Sequence, residues 1–249
     1  YFGGYGPQLM LTWLVALLTV LTGISANGII VTRTDADIPT ILPLGDSITR
    51  GTGDSGSIFG YRDHLQDYLG HHYRFVGDVA DPTSNANYYV NHAGVASETT
   101  AQIESRTLEL LGKFMNEGIL PGSMVLIHAG TNDVTNGLTL TDSRDNVEDM
   151  IDLIHTHDPD IAIYIALIIP KIGFTAQVTT YNDLLETMIA AYNKDNLYAV
   201  DMERAYLSDT TGLCSGDWAA NCMDDTTHPN DLGYQVIART WAQAIEENQ

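Results

Sequence analysis

The folded domain opens with residues 40–47, TILPLGDS, a short apolar run that ends in a glycine, an aspartate and a serine. Short apolar runs bounded by turn-forming residues are typical of buried strands. We therefore predict a first strand over residues 40–44, closed at Gly45. Similar runs along the chain predict further strands over residues 73–76, 124–129, 161–169 and 197–201.

Segments with apolar residues at helical spacing separate these runs. They cover residues 61–69, 97–114, 142–157, 177–193 and 231–246. Ser97 is a candidate N-cap for the second of them. Strands that alternate with long helices imply parallel βαβ units, so the predicted fold is a three-layer α/β/α sandwich with a parallel sheet of about five strands. In such sheets the functional site lies at the carboxyl ends of the strands.

Residues with useful chemistry follow three of these runs. Ser47, after the first strand, is either a nucleophile at a strand-to-helix turn or an N-cap. Asn132 is either an amide donor for an oxyanion or part of an Asx-turn. Gly94, ahead of a helix, either frees a backbone N–H that points into the site or only forms a turn. Each signal is weak alone, but all three are expected at one edge of one sheet.

An acid–histidine pair precedes the closing helix. Asp225 stands three residues before His228, so its carboxylate can accept a hydrogen bond from Nδ1–H and leave Nε2 free to take a proton from a serine. Five other histidines lie on predicted helices or their ends and are interpreted as surface or structural residues: His64, His71, His72, His155 and His157. His128, on a predicted strand, is interpreted as a core residue with its hydrogen bonds satisfied.

Four blocks of the sequence resemble the SGNH (GDSL-type) hydrolase superfamily. In order, they are Gly45-Asp46-Ser47, Gly94, Gly130-Thr131-Asn132-Asp133 and Asp225-Thr226-Thr227-His228-Pro229. The resemblance implies a flavodoxin-like fold, Ser47 as nucleophile, His228 as general base and Asp225 as its partner. It also implies an oxyanion hole made of the Ser47 and Gly94 N–H groups and the Asn132 side chain, with no metal or organic cofactor.

Further segments are similar to carbohydrate esterase family 3, the acetylxylan-esterase-like group. They are PLGDSIT at 43–49, GYR at 60–62, FVG at 75–77, HAGTND at 128–133 and HPNDLGY at 228–234. This likeness implies deacetylation of acetylated sugars such as xylan. The same residues would also suit an arylesterase, a thioesterase or a lipase-like enzyme. A catalytically silent extracellular binding or structural protein is the alternative from another class.

Three residues near these blocks are candidates for substrate contact: Asp46, Arg62 and Trp218. For Arg62 we favour the alternative of a structural salt bridge. Trp218 lies in a long loop before Asp225, where its ring either stacks on a sugar or packs within the loop.

The chain is strongly acidic, with 32 Asp and Glu against 11 Lys and Arg among 249 residues and a formal net charge of −21. Such a surface repels phosphate backbones and anionic membranes, so nucleic acid is not an expected partner. The acidic residues are spread along the chain, which favours a role in solubility over a specific acidic binding face.

The two cysteines bear on the compartment. Cys214 and Cys222 are spaced too widely for a Cys-x-x-Cys motif, and no second pair completes a zinc site. In an oxidising compartment they would form a disulfide, and in the cytosol they would be free thiols.

The first residues differ in character from the rest. Residues 9–21, LMLTWLVALLTVL, are apolar and are followed by small residues, the outline of a signal peptide, although no Lys or Arg precedes Arg33. The alternative is a retained apolar segment, Leu9 to Ile24, that contacts a membrane or a subunit. We expect residues 1–26 to form this segment, 27–39 a connector and 40–249 the hydrolase domain, with the protein secreted or anchored outside the cytosol.

Overall fold

The structure is a computed structural model that describes residues 20–24, 30–33, 37–55, 59–81, 87–115 and 120–249. For the first two of these ranges it describes the backbone alone. The chain divides into two compact units, residues 1–38 and 39–249. We describe each unit by itself.

In the first unit, strands β1 (Val20–Ile24) and β2 (Ile30–Arg33) form an antiparallel pair. Strand β1 occupies the last five residues of the predicted apolar segment Leu9 to Ile24, while residues 9–19 of that segment lie outside the described residues. Strand β2 also occupies part of the predicted connector 27–39. Within the described ranges, no helix combines the length and the apolar character needed to cross a membrane.

The second unit is built on a sheet of seven strands. These are β3 (Thr40–Gly45), β4 (Arg74–Phe75), β5 (Val79–Ala80), β6 (Asn91–Gly94), β7 (Met124–His128), β8 (Ala162–Leu167) and β9 (Leu197–Asp201). The strand order is β5-β6-β3-β7-β8-β9. The short β4 pairs with the first half of β3, and β6 pairs with its second half on the same side. Only β5 runs antiparallel to its neighbour.

Helices follow most of the strands. They are α1 (Ser47–Arg50), α2 (Tyr61–Tyr68), α3 (Thr100–Phe114), α4 (Thr131–Asn136), α5 (Leu140–His157), α6 (Thr175–Tyr192), α7 (Met202–Leu207), α8 (Trp218–Asn221) and α9 (Asp231–Glu247). Local chemistry sets their starts: the Asn230 side chain accepts from the Leu232 and Gly233 amides at 3.1 Å each, which caps α9.

Two apolar clusters lie on opposite faces of the sheet. Alternate residues of the central strands enter different clusters: Leu42 faces the first, and Ile41 faces the second. Helices α3, α5 and α6 cover the first cluster, and α2, α7 and α9 cover the second. This is the predicted three-layer α/β/α sandwich.

The fold class predicted from the sequence is confirmed, and β9 has the predicted bounds. The predicted number of strands is wrong, because β5 and β6 were missed. Strand β6 has the sequence NHAG, without an apolar run to mark it. The prediction that Ser97 caps α3 is also wrong: the N-cap is Thr99, whose N–H donates to the Gln102 side chain at 2.9 Å. Ser97 lies two residues before this N-cap, in the left-handed region with φ +68°.

Candidate active site

Ser47 is the first residue of α1, directly after β3. The preceding Gly45 is enclosed so tightly that a Cβ there would lie 2.3 Å from Thr49 Oγ1 and 2.4 Å from the carbonyl oxygen of His128. Asp46 then caps α1 by accepting from the Ile48 amide at 2.9 Å. The sequence Gly-Asp-Ser thus forces a close strand-to-helix turn, with Ser47 6% exposed at the carboxyl edge of the sheet.

His228 approaches Ser47 from the loop before α9. Its Nε2 lies 3.0 Å from Oγ of Ser47, and its Nδ1 lies 2.8 Å from Oδ2 of Asp225. A carboxylate only accepts, so the proton of the neutral imidazole is placed on Nδ1 and the lone pair of Nε2 faces the serine hydroxyl. Serine, histidine and aspartate are therefore linked in one chain of hydrogen bonds.

The loop that carries this pair is held by its own backbone. Oδ1 of Asp225 accepts from the Thr227 amide at 2.6 Å and from the His228 amide at 2.7 Å. The carbonyl of His228 in turn accepts from the Asp224 amide at 2.9 Å. Partial burial works to raise the pKa of Asp225, but the hydrogen bonds from His228 and Thr227 hold it below its ordinary value. The carboxylate is therefore kept ionised beside the imidazole.

Asn132, in the first turn of α4, lies close to Asp46. Its Nδ2 donates to the carbonyl of Glu98 at 2.8 Å and makes a longer contact, 3.4 Å, with Oδ2 of Asp46. The short bond fixes the amide plane, while the long one is weak at this distance. The side chain is thus oriented by the loop that precedes α3.

Asp46 itself is fully buried. Burial, with a smaller contribution from the nearby Asp133 carboxylate, raises the pKa of Asp46 to about 7. A side chain with no exposed surface cannot touch a substrate, so the predicted substrate contact of Asp46 is wrong. Its Oδ1 caps α1, and its Oδ2 makes the long contact with Asn132.

Gly94 does not supply the predicted free amide. Its N–H donates to Nδ1 of His92 at 3.0 Å, so the prediction that it points into the site as an oxyanion donor is wrong. A Cβ at Gly94 would lie 2.6 Å from the Arg50 backbone nitrogen. The glycine is therefore required because the end of β6 and the end of α1 approach so closely.

His92 belongs to a buried network that the sequence did not reveal. Its Nε2 lies 2.9 Å from Oδ2 of Asp81, and the same oxygen accepts from Arg62 at 2.6 Å. Because Nδ1 accepts from an amide, the proton sits on Nε2 and is donated to Asp81. Burial, reinforced by the Arg62 charge, lowers the pKa of His92 to about 4.

Arg62 connects this network to α1. Its guanidinium is fully buried and donates to the carbonyls of Thr49 at 3.1 Å and Arg50 at 2.9 Å, in addition to Asp81. The predicted substrate contact is therefore wrong, and the favoured alternative, a structural salt bridge, is observed. This side chain connects α1, the helix that carries Ser47, to the edge of the sheet.

The predicted disulfide is present, between Cys214 and Cys222, both fully buried. Trp218 lies between them in α8, with its ring in edge contact with Tyr206 at 6.4 Å between centroids. Of the two alternatives for Trp218, the structure shows the packing contact. The disulfide closes the loop immediately before Asp225.

His128 is buried, as predicted, but its hydrogen bonds are not satisfied. In the described part of the chain neither ring nitrogen has a hydrogen-bond partner, so the prediction of a satisfied core histidine is wrong. Burial lowers the pKa of His128 to about 4, which keeps the ring neutral inside the sheet.

Lys171 is a further buried polar residue beside the site that sequence reasoning missed. It follows β8, and its amine donates to the hydroxyl of Thr227, next to His228. A lysine within the apolar stretch IIPKI, residues 168–172, was the available signal, because a charge at the end of a buried strand needs a partner.

Serine hydrolases have this arrangement: a serine, a histidine and an aspartate joined in this order by hydrogen bonds. Here the three residues lie at the carboxyl edge of an α/β sheet. The chain belongs to the GDSL-like lipase/acylhydrolase family, whose model matches residues 44–236. The superfamily resemblance seen in the sequence is thereby confirmed.

One relative is also similar in sequence. A Ruminococcus flavefaciens protein described as a multidomain esterase is 25% identical over 232 residues, covering 83% of this chain and 28% of that protein. The chain thus spans less than a third of that relative's length.

Two crystallised carbohydrate esterases of family 3 share the fold. The one from Talaromyces cellulolyticus is 19% identical with a TM-score of 0.68, over 84% of this chain and 99% of its own. The one from Clostridium thermocellum is 23% identical with a TM-score of 0.66, over 84% and 96%. At these identities the likeness concerns the fold.

Proposed function

We propose that this protein is a secreted serine esterase that removes small acyl groups, in particular acetyl, from carbohydrates such as acetylated xylan. The observation that carries the proposal is the continuous hydrogen-bonded chain from Asp225 through His228 to Ser47. Membership in an acylhydrolase family supports the reaction class.

In the first step, Oγ of Ser47 attacks the ester carbonyl carbon while its proton passes to Nε2 of His228. Asp225 stabilises the imidazolium that forms. The tetrahedral intermediate then collapses, the bond to the alcohol breaks, and the alcohol leaves with the proton from His228. The product of this step is an acyl ester of Ser47.

The negative oxygen of the intermediate needs donors. The Ser47 amide is one, because the first amides of a helix have no partner within it. Asn132 is the second: the bond to Glu98 holds its amide in place, and the other hydrogen of Nδ2, which makes only the long contact with Asp46, is left to donate to the oxyanion. Gly94 is excluded because its N–H is bonded to His92.

In the second step, His228 accepts a proton from water, and the water oxygen attacks the acyl carbon of the Ser47 ester. The carboxylic acid leaves and the serine recovers its proton. Neither step requires a metal or an organic cofactor.

The substrate class rests on the sequence. The segments PLGDSIT, HAGTND and HPNDLGY carry the similarity to carbohydrate esterase family 3. The Ruminococcus relative is described as an esterase, which agrees with the reaction class of this assignment. The Cys214–Cys222 disulfide supports secretion, since disulfides persist in oxidising compartments.

The test is a release assay. Acetate release from acetylated xylan is measured beside hydrolysis of 4-nitrophenyl acetate, butyrate and octanoate, with Ser47→Ala as the blank. A deacetylase releases acetate from xylan, hydrolyses the 4-nitrophenyl acetate and loses most of its activity already on the butyrate. Preference for the octanoate would identify a lipase-like enzyme, activity on aryl esters alone an arylesterase, and no hydrolysis at all a silent protein.

A further inference from the structure

We propose that Lys171 is a positioning residue for the catalytic pair: its buried ammonium holds the loop 225–228 so that Asp225 and His228 stay aligned with Ser47. The inference rests on the proposed serine-esterase function and assigns a residue that the resemblance does not supply. Lys171 acts through Thr227 and does not touch the reacting atoms.

The placement of Lys171 is unusual for a lysine. It is 4% exposed, at the carboxyl edge of the sheet beyond β8. Lysines are rarely buried unless they are paired, because an ammonium taken out of water loses its hydration. Its backbone is fixed as well, since its carbonyl accepts from the Phe174 amide at 3.0 Å at the start of α6. The side chain therefore projects from a rigid turn.

The contacts of this ammonium lead to the catalytic loop. Nζ donates to Oγ1 of Thr227 and lies 5.3 Å from the ring centroid of Phe174. Next to it, the Ile172 amide donates to the carbonyl of Thr226 at 3.1 Å. The turn after β8 is thus hydrogen-bonded to two successive residues of the loop: to Thr226 through its backbone and to Thr227 through its side chain.

Thr227 connects Lys171 to the carboxylate of Asp225. Its amide donates to Oδ1 of Asp225 at 2.6 Å, while Oδ2 of the same carboxylate faces the imidazole of His228. The Asp225 charge also acts on Lys171. Burial lowers the pKa of the Lys171 ammonium, and the attraction of the Asp225 carboxylate raises it by a smaller amount. The Asp225 side chain is 51% exposed, so packing does little to fix its position. Its orientation therefore depends mainly on hydrogen bonds such as the one from the Thr227 amide.

The experiment uses the full chain, four single variants and the double variant Lys171→Met/Thr227→Val. Lys171→Met removes the ammonium at similar volume, and Thr227→Val removes the acceptor while Thr227→Ser keeps it. Lys113→Met is the matched control, because Lys113 also lies over a phenylalanine ring, at 5.1 Å from the centroid of Phe114, but is exposed on α3. Hydrolysis of 4-nitrophenyl acetate gives kcat and KM, and proton NMR follows the Nδ1–H signal of His228.

Lys171→Met and Thr227→Val should each lower kcat on the order of tenfold with KM within twofold, the loss typical of a charged hydrogen bond. The double variant should lose no more than either single one, because both act through the same bond. The His228 signal should broaden in both, while Thr227→Ser and Lys113→Met keep it sharp and keep kcat within twofold of the parent.

An unchanged kcat and an unchanged His228 signal in Lys171→Met would overturn the proposal, as would a change in KM alone, which would place Lys171 on the substrate. If Lys171→Met does not fold, Thr227→Val is compared with Thr227→Ser by the same two measurements, and an unchanged kcat and His228 signal in Thr227→Val would overturn the proposal. If the parent hydrolyses no ester, the esterase function fails, and the NMR signal still decides whether Lys171 positions His228.

Discussion

Nε2 of His228 lies 3.0 Å from Oγ of Ser47, although 181 positions separate the two residues along the chain. Joining such distant segments costs chain entropy, which local contacts must offset. Two contacts between these segments do so: the Tyr234 hydroxyl donates to the carbonyl of Thr52 at 2.6 Å, and the Ser55 amide donates to Asp231 at 3.0 Å. The start of α9 is thereby fastened to the turn after α1.

Asp225→Asn should lower kcat for 4-nitrophenyl acetate by about 100- to 10,000-fold, because an amide no longer holds the proton of His228 on Nδ1 or stabilises the imidazolium. The asparagine oxygen can still accept from the Thr227 and His228 amides, so the loop should remain folded. Steady-state kinetics and circular dichroism measure the two effects. The neighbouring exposed Asp224→Asn is the control, and equal losses in both variants would rule out a specific role for Asp225.

Arg62→Met should destabilise the protein by about 3–5 kcal/mol, because it leaves the buried Asp81 carboxylate without its cation. Urea unfolding monitored by tryptophan fluorescence gives the free energy. Arg144→Met removes an arginine from partly exposed pairs with Asp145 and Glu148 and should cost about 1 kcal/mol at most. A similar small cost at Arg62 would contradict the structural role of that residue.

Asp46→Asn should make stability less dependent on pH. Burial raises the pKa of Asp46 from 3.8 to about 7, so the native state binds this proton more tightly than the unfolded chain and loses stability as the pH rises between these values. At about 1.4 kcal/mol per unit, the loss is on the order of 4 kcal/mol at pH 8. Unfolding free energies at pH 4 and pH 8 test this: relative to the parent, the variant should gain stability at pH 8. If the variant is no more stable than the parent at pH 8, ionising Asp46 in the native state costs little free energy.

Replacing both Cys214 and Cys222 by alanine should lower the free energy of unfolding by about 2 kcal/mol, because the open loop has more freedom in the unfolded state. Both sulfurs are buried, so a reducing agent should act slowly on the native parent protein. Thermal unfolding of the two proteins gives the difference. Equal midpoints would mean that the disulfide does not contribute to stability.

The layered fold was predictable because its main strands are short apolar runs, as in residues 124–128, and its helices have clear apolar spacing. Strand β6 was not, because Asn91 and His92 are polar and their pairing with β3 and β5 comes from tertiary structure. The left-handed backbone of Ser97 was not predictable either, because it is imposed by the loop and serine itself does not favour a positive φ.

The hydrogen-bonded trio was predictable because each residue stands in a short motif of fixed spacing. The contacts that support the trio were not. Lys171 and Thr227 are 56 positions apart, and Arg62 and Asp81 are 19 apart, with no pattern to connect them. For Gly94 the predicted role is wrong because its N–H donates to Nδ1 of His92, two residues earlier, and no pattern in the sequence marks this contact.

The most direct measurement is labelling with a fluorophosphonate probe, followed by peptide mapping. Only a serine activated by a base reacts rapidly with such a probe. We predict one adduct, on Ser47, that is lost in Ser47→Ala and strongly slowed in His228→Ala while both variants keep the parent's circular dichroism spectrum. A protein that stays unlabelled, or an adduct that persists when Ser47 is replaced, would contradict the assignment of Ser47 as the nucleophile.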